Sequence, residues 1–266
     1  MASSIAIASG KGGVGKTSIA VNLGLTMARL GRRTVLLDAD FGMANAHILI
    51  GANPKHYIAD ALQGGTTMQD VLCDAPYGMK FISGGSGLLE MLNIDKTTRY
   101  QAIRMVDELR DDTEVLIADV PAGASDSSIA FVAAADRVVV VLVGEPTSFL
   151  DAYSLIKAAH LEAGVNNFSI VVNMASSANE AQRHFEKFRD TATRFLDVSI
   201  AYAGHLPLSE RMRKSVVQRK PVSMEPAELP ENQAFMKISK AILEAPVNSH
   251  GGIRFFADSE VTVAGT

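Results

Sequence analysis

The feature that most constrains this chain is a glycine- and lysine-rich bend that directly follows a short apolar run near its beginning. Residues 10–17, GKGGVGKT, fit the pattern G-x-x-x-x-G-K-[ST] of a phosphate-binding loop. The apolar run at residues 5–8 predicts a buried strand before the bend. A helical spacing of apolar residues follows it, at Ile19, Leu23, Met27 and Leu30. Because the motif requires a strand, a bend and a helix in this order, it predicts an α/β nucleotide-binding fold.

Further short apolar runs alternate with helical patterns along the rest of the chain. These runs are solid, which is typical of strands covered on both faces, and they lie at residues 34–37, 80–83, 115–118, 138–143, 169–172 and 198–202. The alternation predicts a three-layer sandwich with a mostly parallel twisted sheet, whose ligand site lies beyond the carboxyl ends of the strands. We expect one P-loop domain at residues 1–245 and a C-terminal tail at residues 246–266 that is partly mobile.

Three predicted helices carry apolar stripes that are expected to pack on this sheet. The stripes consist of residues spaced three to seven positions apart, which fall on one face of a helix. Their members are Phe185, Phe188 and Phe195 within residues 182–195, Ile103, Val106 and Leu109 within residues 100–110, and Phe235, Ile238 and Ile242 near the end.

The amino-acid composition of the chain limits the classes of protein to which it can belong. The 266 residues are 47% hydrophobic and 20% charged, which is the balance of a globular protein with one sizeable core. A net charge of −4 gives no general attraction to nucleic acid or anionic lipid, so nucleic-acid binding is not expected. The single cysteine, Cys73, excludes an internal disulfide. No apolar stretch approaches the roughly 20 residues of a membrane span, and we expect a cytoplasmic protein, with a peripheral position at the inner face of the membrane as the alternative.

The glycine-rich bend supplies the groups that a bound nucleotide needs. Its glycines let backbone N–H groups turn inward around phosphates, and the helix that follows adds its positive end. Lys16 is expected to contact the β- and γ-phosphates, and the Thr17 hydroxyl to ligate Mg²⁺. Lys11 either reaches phosphates held by a second copy of the protein, as an arginine finger does, or is a solvated surface lysine. The predicted nucleotide-binding residues of the bend are Gly10, Lys11, Gly12, Gly13, Val14, Gly15, Lys16, Thr17 and Ser18.

Carboxylates follow two of the predicted strands. Asp38 and Asp40 come after the second strand, where they either cap the next helix or face the phosphate loop. In the second case, Asp38 holds a magnesium-bound water and Asp40 orients or polarises the attacking water. Asp119 ends a later strand and is expected to reach Mg²⁺ directly or through water. Gly123 follows it, and its N–H is predicted to sense the γ-phosphate.

An asparagine ends another predicted strand, in the segment SIVVNMAS. The amide of Asn173 can donate and accept at an adenine edge at the same time. Asparagine at a strand end is also an ordinary turn residue, so the residue alone leaves both interpretations open.

The motif KGGVGKT resembles the deviant Walker A signature of the MinD/ParA family of ATPases, and the resemblance covers about residues 4–245. It implies Mg²⁺ and ATP as cofactors, weak and partner-stimulated ATP hydrolysis, and an ATP-dependent homodimer. By this resemblance Lys11 crosses the dimer interface and is catalytic with Lys16 and Asp40. The loop at Asp40 is similar to switch I, the loop at Gly123 to switch II, and Asn173 to the adenine reader.

Three further segments resemble the flagellar-number regulators of the FlhG/FleN type within that family. They are DADFGMAN, DVPAGASDSS and EPTSFLDAYSLIK. The resemblance implies regulation of flagellar number and placement, with a flagellar transcription activator and a signal-recognition-type GTPase as partners. The sequence departs from the family pattern at His47, at Val120-Pro121 and at Ser209, where many relatives carry an acid.

Division and partition ATPases of the same family share every nucleotide-binding residue and are the alternative. A division ATPase is expected to end in a basic amphipathic helix for anionic membrane, but residues 246–266 contain Arg254 against Asp258 and Glu260. A partition ATPase is expected to bind DNA through a basic patch, for which residues 210–220 are the candidate. An iron–sulfur reductase of the nitrogenase type needs two cysteines per subunit, which Cys73 alone does not supply.

Overall fold

A twisted sheet of eight strands runs through the centre of the molecule. The computed structural model describes residues 2–41, 44–85 and 95–256. The strands are β1 Ser3–Ala8, β2 Thr34–Asp38, β3 Cys73–Asp74, β4 Lys80–Ser83, β5 Val115–Asp119, β6 Arg137–Val143, β7 Asn167–Ala175 and β8 Ser199–Pro207. Their spatial order is β3-β4-β2-β5-β1-β6-β7-β8, and the neighbouring pairs are parallel apart from β3 with β4. The predicted α/β fold with a mostly parallel sheet is confirmed.

Helices cover both faces of this sheet. Those described are α1 Lys16–Arg29, α2 Ala46–Ile50, α3 Ile58–Leu62, α4 Met68–Val71, α5 Lys96–Met105, α6 Asp126–Ala134, α7 Pro146–Ala163, α8 Ala178–Thr193, α9 Glu210–Gln218 and α10 Pro230–Glu244. Short 3₁₀ turns lie at Pro76–Gly78, Val106–Asp112 and Val222–Met224. Among the described helices, none is long and apolar enough to cross a membrane.

Successive side chains of the central strand, β1, pack on opposite faces of the sheet. Ile5 and Ile7 of β1 pack in one core with α1 and with the stripe of α10. Ala6 and Ala8 pack in the other core, which contains Phe131 of α6. Each strand therefore needs apolar residues at nearly every position, and this is why its sequence is a solid apolar run.

The predicted helices occur with shifted ends, and one predicted contact is wrong. Phe185 and Phe188 are buried, but Phe195 is 67% exposed because α8 ends before it and the chain turns away. The helix predicted at residues 100–110 divides into α5 and a 3₁₀ turn, although Ile103 is buried as expected. The sequence did not predict β3, whose two residues are too few to form an apolar pattern.

The beginning of the predicted tail packs on the body of the protein. Phe255 is 1% exposed, its N–H donates to the Ala134 carbonyl, and its ring stacks on Phe131 with 6.4 Å between centroids. Arg254 donates to the Asp136 carboxylate over 2.6 Å. Residues 246–256 therefore continue the core around α6, while residues 257–266, where the mobile end is predicted, lie outside the described residues.

Candidate nucleotide-binding site

The loop between β1 and α1 has the backbone of a phosphate cradle. Gly13 and Gly15 have φ values of 80° and 87°, in the left-handed region that glycine adopts without steric cost. Gly15 immediately precedes α1, whose first N–H groups and positive dipole end lie at the loop. The loop therefore combines inward-turned amides with a helix N-terminus, which is the arrangement that binds phosphate groups.

The inner end of the loop is closed by a buried ion pair. The Lys16 ammonium contacts an oxygen of Asp119, and the two side chains are 10% and 2% exposed. The Thr17 side chain lies near Asp119 and lowers its pKa. Burial raises the pKa of Asp119, and the Lys16 charge opposes this rise. Lys16 thus neutralises a carboxylate that would otherwise be costly to bury.

A second buried carboxylate lies beside the first because two strand ends are in register. Asp38 ends β2 and is paired with Asp119 at the end of β5. Its carboxylate accepts hydrogen bonds from the backbone N–H groups of Ala46, over 3.0 Å, and Asp40, over 3.2 Å. Burial, followed by the charge of Asp119, raises the pKa of Asp38 to about 7. Two adjacent carboxylates and the Thr17 hydroxyl suit Mg²⁺, whose remaining ligands are normally waters and substrate phosphates.

Asp40 lies where the predicted switch I begins. Its N–H donates to Asp38, so the backbone at this point is tied to the carboxylate pair. Phe41 follows it and is buried, whereas Gly42 and Met43 lie outside the described residues. The water-activating role of Asp40 therefore stays a prediction.

The predicted switch II loop rests on the phosphate loop. The Gly123 N–H, which is predicted to sense a γ-phosphate, donates to the Ser9 carbonyl over 2.8 Å. Gly123 has a φ of 91°, and a Cβ built on it would lie 3.9 Å from the Gly10 carbonyl oxygen. Ser125 caps α6 by accepting from the Ser128 N–H. In this conformation the Gly123 amide must leave Ser9 before it can donate to a phosphate.

The outer end of the loop packs against the beginning of α7. The Lys11 ammonium contacts the Glu145 carboxylate over 2.7 Å and the Thr147 hydroxyl over 3.1 Å. A Cβ built on Gly10 would lie 2.0 Å from the Asp151 carbonyl carbon, so only glycine fits there. The Lys11 side chain is 29% exposed and that of Glu145 62% exposed. Lys11 is therefore partly buried at the surface of its own chain, paired with an exposed carboxylate.

A cavity of about 550 Å³ opens next to Gly15. Its walls are mostly apolar, and they carry several large side chains that are exposed to solvent: Met174, Leu208, Val216 and Val217. Met174 has a left-handed φ of 57°, an unusual conformation for a long side chain. An apolar cleft beside a phosphate cradle fits the flat ring of a nucleotide base.

Asn173, which is predicted to bind adenine, lines this cavity, and its side-chain amide already makes two hydrogen bonds within the protein. Its Nδ2 donates to the Val14 carbonyl over 2.8 Å, and its Oδ1 accepts from the Met174 N–H over 2.9 Å. A Cβ on Gly15 would lie 2.5 Å from Nδ2, so the amide also sets the packing of the loop. One amide hydrogen and one lone pair of Asn173 remain for a base.

The structure thus gathers the predicted site residues at the carboxyl edge of the sheet. The phosphate loop, Asp38, Asp40, Asp119, Gly123 and Asn173 all lie there. Sequence reasoning missed Glu145 and Thr147, although the segment EPTSFLDAYSLIK was noted for its resemblance alone. It also missed Glu231, which hydrogen-bonds to Ser209 in the cavity wall. The sequence around Glu145 and Glu231 gives no signal, because each of them contacts a residue that is distant in the chain.

Comparisons with known proteins find a P-loop NTPase family and relatives whose names refer to antiactivation or to the flagellum. Residues 1–243 match the ParA family, described as NUBPL iron-transfer P-loop NTPase. The chain is 38% identical over 256 residues to the antiactivator FleN of Pseudomonas aeruginosa, which covers 96% of this chain and 91% of FleN. It is 29% identical over 224 residues to the flagellum site-determining protein YlxH of Helicobacter pylori, covering 81% of this chain and 73% of YlxH.

A solved structure supports the fold independently. The septum site-determining protein MinD of Pyrococcus horikoshii, complexed with Mg-ADP, superposes with a TM-score of 0.74. The match covers 92% of this chain and 97% of that chain at 18% identity. At this identity the likeness establishes the architecture alone.

Proposed function

This chain belongs to the ParA/MinD family of P-loop NTPases, and on that premise we propose that it is an ATP-switched homodimer that regulates flagellar number and placement. Membership makes it a nucleotide-binding NTPase. The dimer, its slow and partner-stimulated hydrolysis of ATP, and its flagellar role are the proposal. One observation supports the proposed switch. The loop contains two lysines, of which Lys16 is buried against Asp119 and Lys11 lies at the surface.

The buried Lys16 indicates how a nucleotide would bind at this site. In this structure Lys16 forms an ion pair with Asp119. The β- and γ-phosphates of ATP would be stronger partners for its ammonium group. When Lys16 moves to them, Asp119 is released to hold Mg²⁺ together with Asp38 and Thr17. Bound Mg²⁺ supplies neutralisation of the charge that develops on the transferred phosphoryl group.

The position of Lys11 is the reason for proposing that a second protomer takes part. The Lys11 ammonium is held by Glu145 and Thr147 at the outer end of the loop, and we propose that it meets phosphates that another protomer presents. Delivery of a cation in trans stabilises the transition state as an arginine finger does. Asp40 orients the attacking water, and the Gly123 N–H reports the γ-phosphate once it leaves the Ser9 carbonyl.

The flagellar role is supported by the two relatives whose names refer to it or to antiactivation. FleN is an antiactivator, and YlxH is a flagellum site-determining protein. We propose a flagellar transcription activator and a signal-recognition-type GTPase as partners of this chain. An iron-transfer role has weaker support, since a cluster shared by two subunits needs more cysteines than Cys73 provides.

A division or partition ATPase is the alternative function. The basic candidate segment around α9 offers little free charge, because three of its cations contact carboxylates: Arg211 with Glu231, Lys214 with Glu210 and Lys220 with Glu225. Retention of the ATP-bound protein on DNA or on anionic vesicles at physiological salt would favour the alternative.

The proposal is tested by measuring molecular mass and phosphate release with Mg-ATP and with Mg-ADP. The wild-type chain is expected to dimerise in ATP alone. Lys11→Ala is expected to bind ATP, to remain monomeric and to lose turnover, whereas Lys55→Ala, at another exposed lysine, behaves as wild type. Unchanged hydrolysis by Lys11→Ala, or a wild-type monomer in ATP, would overturn the switch.

A further inference from the structure

We propose that a second cavity, between α5, α6 and the residues that follow α10, binds a small organic molecule with one anionic group and a hydrogen-bond donor at its other end. This cavity has a volume of about 420 Å³, which lies in the range of small-molecule sites. Among the described residues, it shares no lining residue with the cavity beside the phosphate loop. The site is therefore separate from the nucleotide-binding site and goes beyond the proposed function.

The floor of the second cavity is one face of α6. Asp126, Ile129, Ala130 and Ala133 line it, and their spacing of three, four and seven positions places them on the same side of the helix. The alanine side chains are short and leave room above this face. The stretch from Asp126 to Ala133 extends over about 10 Å, which is long enough for a ligand built on one ring.

One wall, formed by α5, carries cations that have no carboxylate partner. Lys96, Arg99 and Tyr100 are neighbours on one face of α5 and line the cavity. Within the described residues neither Lys96 nor Arg99 forms an ion pair, and the buried Arg99 Nε atom has no hydrogen-bond partner. The Lys96 ammonium instead lies 5.4 Å from the centroid of the Tyr100 ring. A half-buried guanidinium without an acceptor is unfavourable, and a carboxylate or phosphate group in the cavity would supply one.

Another wall, formed by the end of α7 and residues 250–253, offers acceptors. A Cβ built on Gly164, two residues after Glu162, would lie 3.6 Å from the His250 Cβ atom, so these two parts of the wall are adjacent. The His250 Nδ1 atom contacts the Gly251 carbonyl over 3.4 Å and carries the hydrogen, because a carbonyl only accepts. Burial lowers the pKa of His250, so its ring is neutral at neutral pH. The Nε2 atom is then an acceptor, and it has no partner within the described part of the chain.

The carboxylates of the cavity limit the ligand to one anionic group. Asp126 and Glu162 both line it, and neither forms an ion pair within the described residues. They would repel a ligand with several negative charges, such as a nucleoside triphosphate. Cations and carboxylates that share a cavity without pairing can be bridged by one molecule with an anionic end and a donating end. Ile129 and Tyr100 supply apolar surface for the body of such a ligand.

The wall at residues 250–253 is fixed on both sides. Before it, the buried Asn248 side chain accepts from the Asn167 N–H over 2.9 Å and donates to the Asn167 carbonyl over 3.0 Å. After it, Arg254 donates to the Asp136 carboxylate. This wall is therefore in place before a ligand binds, and binding requires little further ordering of it.

The experiment measures binding of para-aminobenzoate, benzoate and aniline to the full chain by calorimetry and NMR, without nucleotide and with Mg-ADP. The first probe has both end groups, and each of the others lacks one. We expect para-aminobenzoate to bind about tenfold or more tightly than either of the others, with chemical shift changes at Ala130, Ala133 and Ile253. Probes of this size bind at millimolar concentrations. The phosphate analogue, para-aminophenyl phosphate, shows which of the two anions the cations prefer.

Two variants test the two ends of the ligand separately. Arg99→Gln removes the guanidinium and is expected to weaken para-aminobenzoate about tenfold or more while leaving aniline unchanged. Arg104→Gln, at an arginine of the same helix that is 59% exposed, is the matched control and keeps wild-type affinity. His250→Phe keeps a flat ring without the acceptor, so the preference for para-aminobenzoate over benzoate is expected to fall about tenfold.

Several results would overturn the inference. They are the absence of shift changes at the three residues with every probe, equal affinities for the probes in the wild-type chain, and equal losses in Arg99→Gln and Arg104→Gln. Shift changes confined to the phosphate loop, with displacement of the probe by Mg-ADP, would also overturn it. If Arg99→Gln does not fold, the probe series and His250→Phe decide. A chain that binds the probe but no nucleotide would refute only the proposed function.

Discussion

The two ends of the phosphate loop use the same chemistry in opposite environments. At the inner end, Lys16 contacts Asp119 where both side chains are almost fully buried. At the outer end, Lys11 contacts Glu145 where both remain in contact with water. A buried pair is costly to break because one charge is left without a partner, while an exposed pair exchanges readily with water. The difference separates a lysine that belongs to the folded core from one that is available to another molecule.

Replacing Lys16 is expected to have the largest effect on stability. Lys16→Met leaves Asp119 buried beside Asp38 without a cation, and breaking such a pair costs about 3 kcal/mol or more. We expect this loss in the free energy of unfolding, measured by urea denaturation without nucleotide or Mg²⁺. Lys11→Met is the matched control. A loss for Lys16→Met that does not exceed that of Lys11→Met would remove the distinction between the two ends.

A methyl group at the outer end is expected to have an intermediate effect. In Gly10→Ala the new Cβ would meet the backbone of Asp151 and Ala152 within 2.4 Å, so the loop and α7 must separate. We expect a loss of about 1–3 kcal/mol in the same measurement. Gly12→Ala has no neighbour within 4 Å of the new carbon and is expected to be neutral. Equal stability of the two variants would show that the outer end is not anchored on α7.

The outer ion pair itself is expected to contribute least. Lys11→Met and Glu145→Gln should each change the free energy of unfolding by less than about 1 kcal/mol, because the Glu145 side chain is mostly exposed and that of Lys11 still contacts water. A double-mutant cycle measures their coupling, which we expect to be about 0.2–1 kcal/mol and to weaken with salt. A coupling above about 2 kcal/mol would instead place Lys11 among the fixed parts of the fold.

The parts of the site that the sequence predicted are those set by neighbouring residues. The apolar runs predicted the strands, and Gly10 to Thr17 predicted the loop, because the bend and its flanking elements form from consecutive residues. Asp38 and Asp119 were placed together because parallel strands end at one edge of the sheet. The register that pairs their Cα atoms agrees with that argument.

The parts that the sequence did not predict depend on contacts between distant segments. Lys11 and Glu145 are 134 positions apart, and Asn173 and Val14 are 159 apart. The sequence does not indicate which residue contacts which, since a surface glutamate and a strand-end asparagine are ordinary residues. The prediction for Phe195 is wrong for a related reason, because α8 ends at Thr193, two residues before the predicted end, and Phe195 therefore lies in solvent instead of the core.

The packing of Phe255 and Arg254 on α6 affects how the protein can be cut or labelled. A fragment that stops at residue 245 loses the ring stacked on Phe131 and leaves Asp136 without Arg254. Reporter fusions and affinity tags are therefore safer when they are joined after residue 256 than when they replace the last stretch. If such a fragment binds a partner differently, damage to α6, which follows the predicted switch II loop, explains the change as well as the loss of the tail residues does.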